Sequence, residues 1–310
     1  MKIIFFGTGK FGLPALKKLI ESGHEIAAVV TQPDRKRGRG WNVQPAPVKA
    51  FMEQISPGID ILQPGKASDQ AFVDSLKEIG ADVFVVVDYG QLLNREILEL
   101  PGKYCINLHP SLLPRYRGAS PVNRAILNGD TETGNTVIRM TERMDAGSMI
   151  MQEETGITEH ENAVMLLERL SRSGAGLLLK TLEVIEAGKE SFNEQDESAA
   201  SYAPKLEKSE GEIDWTRPAV EIARKVRGMQ PWPGAFTCFN GKTLKILEAG
   251  IADAGEKPGA PGTIHDEKEF VVNTGKGAVR VNKLQLAGKK AMTREEFLRG
   301  HQLKKDATLG

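Results

Sequence analysis

The 310-residue chain predicts an α/β protein in two parts: a mostly parallel sheet flanked by helices, then a smaller β-barrel. Three observations carry this. Strand-like and helical patterns alternate in a βαβα rhythm through the first half, which is how a parallel sheet is built. Beyond Pro204 come short β-like runs separated by Gly, Pro and Asn turns, the spacing of a small barrel. The length also exceeds what one ordinary core holds.

In chain order, Lys2 to Phe6 reads as a strand and Gly12 to Ser22 as the helix that follows. Glu25 to Thr31 is a second strand, and Pro47 to Gln54 and Asp69 to Ile79 are helical. Asp82 to Val87 is an apolar run of buried-strand type. Gln91 to Leu98 reads as a helix, Tyr104 to Leu108 as a strand, Pro121 to Asn128 as a helix and Asn135 to Met140 as a strand. Met144-Asp145-Ala146-Gly147 is a tight turn into Ser148 to Gln152, and it presents Asp145 at a strand edge. Asn162 to Ala187 is a long amphipathic helix, and the polar, acidic stretch Ser191 to Ser201 has the composition of a connecting segment. A short helix over Pro218 to Arg227 precedes five β-like runs: Ala235 to Phe239, Leu244 to Ala249, Gly262 to Ile264, Glu269 to Asn273 and Val279 to Leu286. The boundaries expected are 1–190, a linker over 191–203, and 204–310.

Composition narrows the function classes. With 40 % hydrophobic and 26 % charged residues the chain has a soluble globular make-up, and its N-terminus lacks a signal-peptide pattern, so a cytoplasmic protein with no membrane partner is expected. Cys105 and Cys238 lie far apart and have no partners at metal-ligand spacing, so neither a disulfide framework nor a metal site is indicated. The net charge of zero conceals an asymmetry: residues 1–203 carry 22 Lys+Arg against 27 Asp+Glu (−5), and residues 204–310 carry 19 against 14 (+5). Within the acidic part, Arg35-Lys36-Arg37-Gly38-Arg39-Gly40-Trp41 concentrates four cations beside an aromatic ring. A solvated loop is the plain reading of such a run; the mobile glycines and the stacking face of Trp41 favour contact with a polyanion.

The chemistry concentrates in Asn107-Leu108-His109-Pro110-Ser111-Leu112-Leu113-Pro114-Arg115-Tyr116-Arg117-Gly118. Side chains alternate along a strand, so Asn107 and His109 project to one side about 7 Å apart, and the prolines end the strand. A lone histidine reads as structural; beside a neutral amide donor and a separate acid at Asp145 it reads as part of a site. Asn, His and Asp without a Ser or Cys nucleophile suit direct attack of one substrate on the carbonyl of another, the protein stabilising the oxyanion. Ser111 lacks the G-x-S-x-G elbow of a nucleophile. Gly7-Thr8-Gly9-Lys10-Phe11-Gly12 follows a strand and opens a helix, as a dinucleotide site does, with Asp34 as the ribose-binding acid; tight strand-to-helix turns need glycine for backbone reasons alone. Gln230-Pro231-Trp232-Pro233-Gly234 reads as a packing corner. Leu286 to Met292, carrying Lys289 and Lys290, is a basic turn or a backbone-phosphate contact.

With Asp145, the Asn107-to-Gly118 run resembles the 10-formyltetrahydrofolate-dependent formyltransferases. Further marks extend the likeness over nearly the whole chain: Thr31-Gln32-Pro33-Asp34-Arg35, Pro45-Ala46-Pro47-Val48-Lys49, Ile213-Asp214-Trp215, Pro231-Trp232-Pro233 and Ala287 to Met292. They point to the branch that formylates the methionine of charged initiator tRNA; a sugar amine as acceptor, or an NAD(P)-dependent oxidoreductase, are the alternatives. The resemblance implies a Rossmann-like catalytic domain and an OB-like tRNA-binding barrel. It implies Asn107, His109 and Asp145 as catalytic groups, Ser111, Leu112, Leu113, Pro114, Tyr89 and Gly90 around the folate donor, and Arg35, Lys36, Arg37, Arg39, Trp41, Lys289 and Lys290 on the tRNA. The co-substrate is then 10-formyltetrahydrofolate, with no metal and no NAD, and a monomer is expected. Three departures stand out: Gly9 and Gly12 complete a dinucleotide pattern the family lacks, Asp88 replaces a small residue, and Lys36 replaces a proline.

Overall fold

The computed structural model describes residues 1–37, 42–55, 58–253, 259–305 and 307–310. They pack as two compact units, the first 1–118, 132–156 and 167–202, the second 119–131, 157–166 and 203–310.

The first unit is built on a seven-stranded sheet. In chain order its elements are β1 (Lys2–Gly7), α1 (Leu13–Glu21), β2 (Glu25–Val30), β3 (Arg35–Arg37), β4 (Asn42–Gln44), α2 (Pro47–Ile55), β5 (Asp60–Leu62), α3 (Gln70–Ile79), β6 (Val83–Val87), α4 (Arg95–Leu98) and β7 (Tyr104–His109). After α5 (Pro121–Asn128), which packs in the second unit, come β8 (Glu132–Arg139), β9 (Met149–Gly156) and α6 (Ala163–Glu186). The sheet order is β5-β2-β1-β6-β7-β8-β9, parallel from β5 to β7 and antiparallel across β7, β8 and β9. Strand β6, Val-Phe-Val-Val-Val, is buried on both faces, as a central parallel strand must be. The chain runs outward from β1 to β5 and then returns to the other side of β1 as β6. That reversal opens a crevice beyond the carboxyl ends of β1 and β6, where ligands of open α/β sheets bind.

Two expectations are corrected. The helix foreseen over Gln91 to Leu98 spans only Arg95–Leu98, because the Asn94 side chain accepts a hydrogen bond from the Ile97 N–H at 3.1 Å and caps the helix there. The basic segment foreseen as a mobile loop is a ribbon, β3 pairing antiparallel with β4 in the register Arg35↔Gln44, Lys36↔Val43, Arg37↔Asn42. Gly38, Arg39, Gly40 and Trp41 lie outside the described residues.

The second unit holds α5, α7 (Ala219–Gly228) and an antiparallel sheet in the order β10 (Ala235–Phe239), β11 (Lys242–Ala252), β14 (Ala278–Leu286), β13 (Val271–Asn273), β12 (Ile264–Asp266), with β15 (Met292–Thr293) on β14. The C-terminal residues bridge the two ends of that order: the Leu309 N–H donates to Gly262 O at 2.8 Å and the Gly310 N–H to Cys238 O at 3.1 Å. Its core gathers Trp215, Val226, Leu244, Ile246, Phe270, Val281 and Phe297. Gly228 lets α7 approach α5, since a Cβ there would sit 2.9 Å from Leu127 Cγ. Helix α8 (Arg294–Gly300) went unforeseen although Thr293 and Glu296 form a full capping box at its start.

Candidate active site

Strand β7 ends the parallel part of the sheet, and its alternation sends Asn107 and His109 to one side, where they meet the turn between β8 and β9. The carboxylate of Asp145 joins them: Asn107 Nδ2 lies 3.5 Å from Oδ1, and His109 Nδ1 lies 3.7 Å from Oδ2. These separations are long for hydrogen bonds, as catalytic contacts often are before the substrate arrives. Oδ2 itself accepts the Gly118 N–H at 2.8 Å.

His109 is 5 % exposed, and its Nε2 lies 2.9 Å from the carbonyl oxygen of Tyr116. A carbonyl only accepts, so the Nε2 proton is committed there and Nδ1 is the atom turned toward Asp145. A neutral ring can accept at Nδ1; to donate from it the ring must carry a second proton.

The backbone around this cluster is strained. Asp88, Tyr116 and Asp145 adopt positive φ of 52°, 62° and 49°, a left-handed conformation that L side chains avoid. Gly147 allows the Asp145 turn to close against β8, because a Cβ there would collide with the Arg139 carbonyl oxygen. The loop after His109 is locked. Ser111, 1 % exposed, donates to Arg115 O at 2.7 Å; Leu113 N donates to Thr136 Oγ1 at 3.2 Å; Gln152 Nε2 donates to Leu113 O at 3.1 Å. Leu113 is buried, Leu112 and Pro114 are half-buried, and Leu112 fits because Gly134 has no Cβ to meet its Cδ2.

Tyr89 is 2 % exposed and packs edge-on to Phe6 with ring centroids 5.4 Å apart, in the sheet's hydrophobic core, whereas Gly90 is exposed beside it. A cavity of about 560 Å³ opens along the Asp145 turn, lined by Leu98, Tyr104, Cys105, Met140, Ala146 and Gly147 among others. That volume suits a small organic ligand. Burial raises the Cys105 thiol well above its ordinary range, so it is an apolar wall rather than a nucleophile.

The glycines of the β1–α1 turn serve packing. A Cβ on Gly7 would come 2.5 Å from the Phe5 ring, one on Gly12 3.1 Å from Val87 O, and one on Gly9 would strike the Asp88 carboxylate. Asp34 is engaged on both oxygens, by Lys49 Nζ at 2.7 Å and Gln63 Nε2 at 2.9 Å, which lower its pKa. Asp88 presents surface to water, yet protein crowds its carboxyl on most sides, and that burial pushes its pKa up to about 6.

Of the cationic candidates, Arg35 is exposed and donates to Gln32 Oε1 at 3.0 Å. Lys36 and Arg37 are placed by backbone only, as strand β3. Lys289 and Lys290 are exposed on the turn between β14 and β15, held by Lys289 N to Leu286 O at 2.9 Å and Gln285 Nε2 to Lys289 O at 2.9 Å. Among the described residues no cluster of three His, Cys, Asp or Glu is placed to hold a metal ion, and no helix is long and apolar enough to cross a membrane.

Sequence reading assigned no role to two residues that pack beside these groups, Gln195 and the Arg117 of the Asn107-to-Gly118 run. Arg117 is 1 % exposed, and Gln195, in the stretch read as a linker, is 8 % exposed. Arg117 Nε and Nη2 donate to Gln195 Oε1 at 3.0 and 2.8 Å, and Gln195 Nε2 donates to the carbonyls of Asp145 and Gly147 at 2.8 and 2.7 Å. A Gln in a polar run carries no local signal of this role.

Residues 1–182 match the Formyl transferase family and residues 205–302 the Formyl transferase, C-terminal domain family. The methionyl-tRNA formyltransferase of Lachnospira eligens is 44 % identical over 317 aligned residues, covering 100 % of both chains. That of Geobacter sulfurreducens is also 44 % identical, covering 100 % of this chain and 97 % of its own. Among solved structures, an N-formyltransferase from Helicobacter canadensis in complex with folinic acid and dTDP-3-aminofucose superposes with a TM-score of 0.69, at 18 % identity, over 94 % of this chain and 100 % of its own; at that identity the likeness concerns the fold. With both domain families matched in order and full-length relatives at this identity, the chain belongs to the formyl transferase family, in its methionyl-tRNA formyltransferase branch.

Proposed function

We propose that this protein transfers the formyl group of 10-formyltetrahydrofolate to the α-amino group of methionine on initiator Met-tRNA, acting in the cytoplasm as a monomer. One observation supports the chemistry above others: Asn107 and His109 converge on the carboxylate of Asp145 at the end of β7. The amine attacks the formyl carbon, the C–N bond forms, and the carbonyl oxygen becomes an oxyanion. Asn107 Nδ2 donates to it. His109 donates from Nδ1 in its doubly protonated form, because its Nε2 proton is held by Tyr116 O. One such donor is worth about 10²- to 10³-fold in rate. Asp145 takes the proton that the attacking ammonium loses, directly or through water, and returns a proton to the N10 nitrogen as the C–N10 bond breaks.

The cavity beside the Asp145 turn, walled by Tyr104, Cys105, Met140 and Gly147, is the natural berth for the donor's flat heterocycle, and Tyr89, Gly90 and the Ser111–Pro114 loop, which lie outside that lining, are assigned to the rest of the donor. Residues 1–190 are assigned the catalysis and 204–310 the tRNA, through Lys289 and Lys290, while the basic segment of Arg35, Lys36, Arg37, Arg39 and Trp41 is assigned to the acceptor stem. Two observations weigh against a dinucleotide at Gly7 to Gly12: both Asp34 oxygens are already engaged, by Lys49 and Gln63, and the Asp88 carboxylate lies over Gly9, where it would repel a pyrophosphate.

The test is a direct assay of formyl transfer from 10-formyltetrahydrofolate, with Met-tRNA and a nucleotide-linked amino sugar offered as competing acceptors. Formyl-Met-tRNA is the expected product; formylation of the sugar alone would overturn the acceptor assignment.

A further inference from the structure

We infer that Gln195 is a positioning residue of the formyl-transfer site, clamping the Asp145 turn and itself locked in one orientation by Arg117; this rests on the proposed role of Asp145. The argument starts from burial. Arg117 is the largest fully buried side chain among the described residues, and a buried guanidinium is tolerated only when its donors are satisfied. Nε and Nη2 converge on Gln195 Oε1, and Nη1 and Nη2 reach the Glu197 carboxylate at 3.2 and 3.0 Å. A guanidinium has no acceptor, so the Gln195 amide cannot flip: its oxygen must face Arg117 and its NH₂ must face away. The NH₂ faces Asp145 O and Gly147 O, at 2.8 and 2.7 Å.

Those two carbonyls bracket the turn that carries the catalytic acid. Asp145 sits at φ 49°, a conformation that does not hold itself, and neither Asn107 nor His109 is close enough to grip its carboxylate. The turn's own backbone bonds are Ala146 N–H to Arg143 O at 3.3 Å and Arg139 N–H to Ser148 O at 2.9 Å; beyond these and the Gly118 N–H on Oδ2, the shorter bonds from the Gln195 amide to Asp145 O and Gly147 O fix where the carboxylate stands.

The same segment secures the histidine. Tyr116, at φ 62°, supplies the carbonyl that binds His109 Nε2; its own N–H donates to Ser201 Oγ at 2.9 Å, and the next N–H, of Arg117, donates to Ser201 O at 2.8 Å. Residues 195–201 are therefore a strap that holds both strained backbones, one under the acid and one under the imidazole.

The experiment compares Gln195→Ala and Gln195→Glu with the wild-type chain, reading kcat and KM for Met-tRNA, the pH profile of kcat, and thermal unfolding. Glu keeps a partner for the Arg117 guanidinium, which protects folding, but it has no N–H to give the two carbonyls. Both variants should lose about 10- to 100-fold in kcat, with KM for Met-tRNA within about twofold, as expected when a catalytic group is misplaced by about 1 Å. Wild-type kcat in Gln195→Glu would mean that pairing Arg117 is all Gln195 does, and would overturn the inference. So would a drop in melting temperature with kcat per folded molecule unchanged in both variants. Asp145→Asn separates the layers: if it is impaired while the Gln195 variants are normal, the inference falls and the reading of Asp145 stands; if Asp145→Asn is normal, that reading falls as well.

Discussion

Replacing Asp145 by Asn leaves the side chain's shape and removes its charge, and the structure dictates how the amide must sit. The carboxylate accepts the Gly118 N–H at 2.8 Å on Oδ2, so an Asn would turn its oxygen there and its NH₂ to the other side. That side holds Asn107 Nδ2 at 3.5 Å, and donor would then face donor. Stability should fall modestly, by about 1 to 2 kcal/mol, the difference between a charge-assisted and a neutral hydrogen bond in a partly buried turn. Activity should fall much further, because a neutral amide can neither accept the proton of the attacking ammonium nor accompany a doubly protonated His109; loss of general acid–base assistance costs about 10²- to 10⁴-fold. Single-turnover formylation of saturating Met-tRNA isolates that step from binding. A rate within about tenfold of wild type would refute the reasoning.

Two further predictions concern other parts of the chain. Asp88, whose carboxyl is pushed up to about 6 by burial, is disfavoured as an anion in the folded protein. Its contribution to stability is therefore intact below the unfolded carboxylate range near pH 4 and is lost as pH rises through about 6. Asp88→Asn should melt at a higher temperature than wild type at pH 8 and at the same temperature at pH 4, with a gain of no more than about 1 kcal/mol after solvent screening; a lower melting temperature at pH 8 would contradict it. Lys289→Ala with Lys290→Ala should weaken Met-tRNA binding and reduce the slope of log affinity against log salt by about 1 to 2 while leaving single-turnover rate at saturation unchanged, and an unaltered salt slope would remove that turn from the RNA interface.

Much of the first unit was legible because its determinants are local. Strand β6 announces itself as an unbroken apolar run, α5 starts at Pro121 and ends before Gly129 as expected, and the long helix foreseen over 162–187 is found over Ala163–Glu186. Elements whose stability comes from partners were hidden: the three-residue edge strand β5, and the ribbon β3/β4, whose basic composition reads as loop. The same division runs through the site. Asn107 and His109 were readable from strand alternation, and Asp145 from the turn chemistry of Met144 to Gly147. Gln195 and Arg117 were not, since an amide in an acidic run and an arginine after a tyrosine look solvated until folding places them against each other at 1 % and 8 % exposure for Arg117 and Gln195. The glycines of Gly7 to Gly12, read from the sequence as a backbone requirement of a tight strand-to-helix turn, pack closely against Phe5, Val87 and the Asp88 carboxylate.

The central claim is that the amide of Asn107 and the imidazole of His109 stabilise the oxyanion formed when methionine's nitrogen adds to the formyl carbon. It is tested most directly by single-turnover formyl transfer in Asn107→Ala, with Met-tRNA affinity measured on the same preparation. The account predicts a rate lower by about 10²- to 10³-fold with affinity unchanged. An unchanged rate, or a loss confined to tRNA affinity, would contradict it.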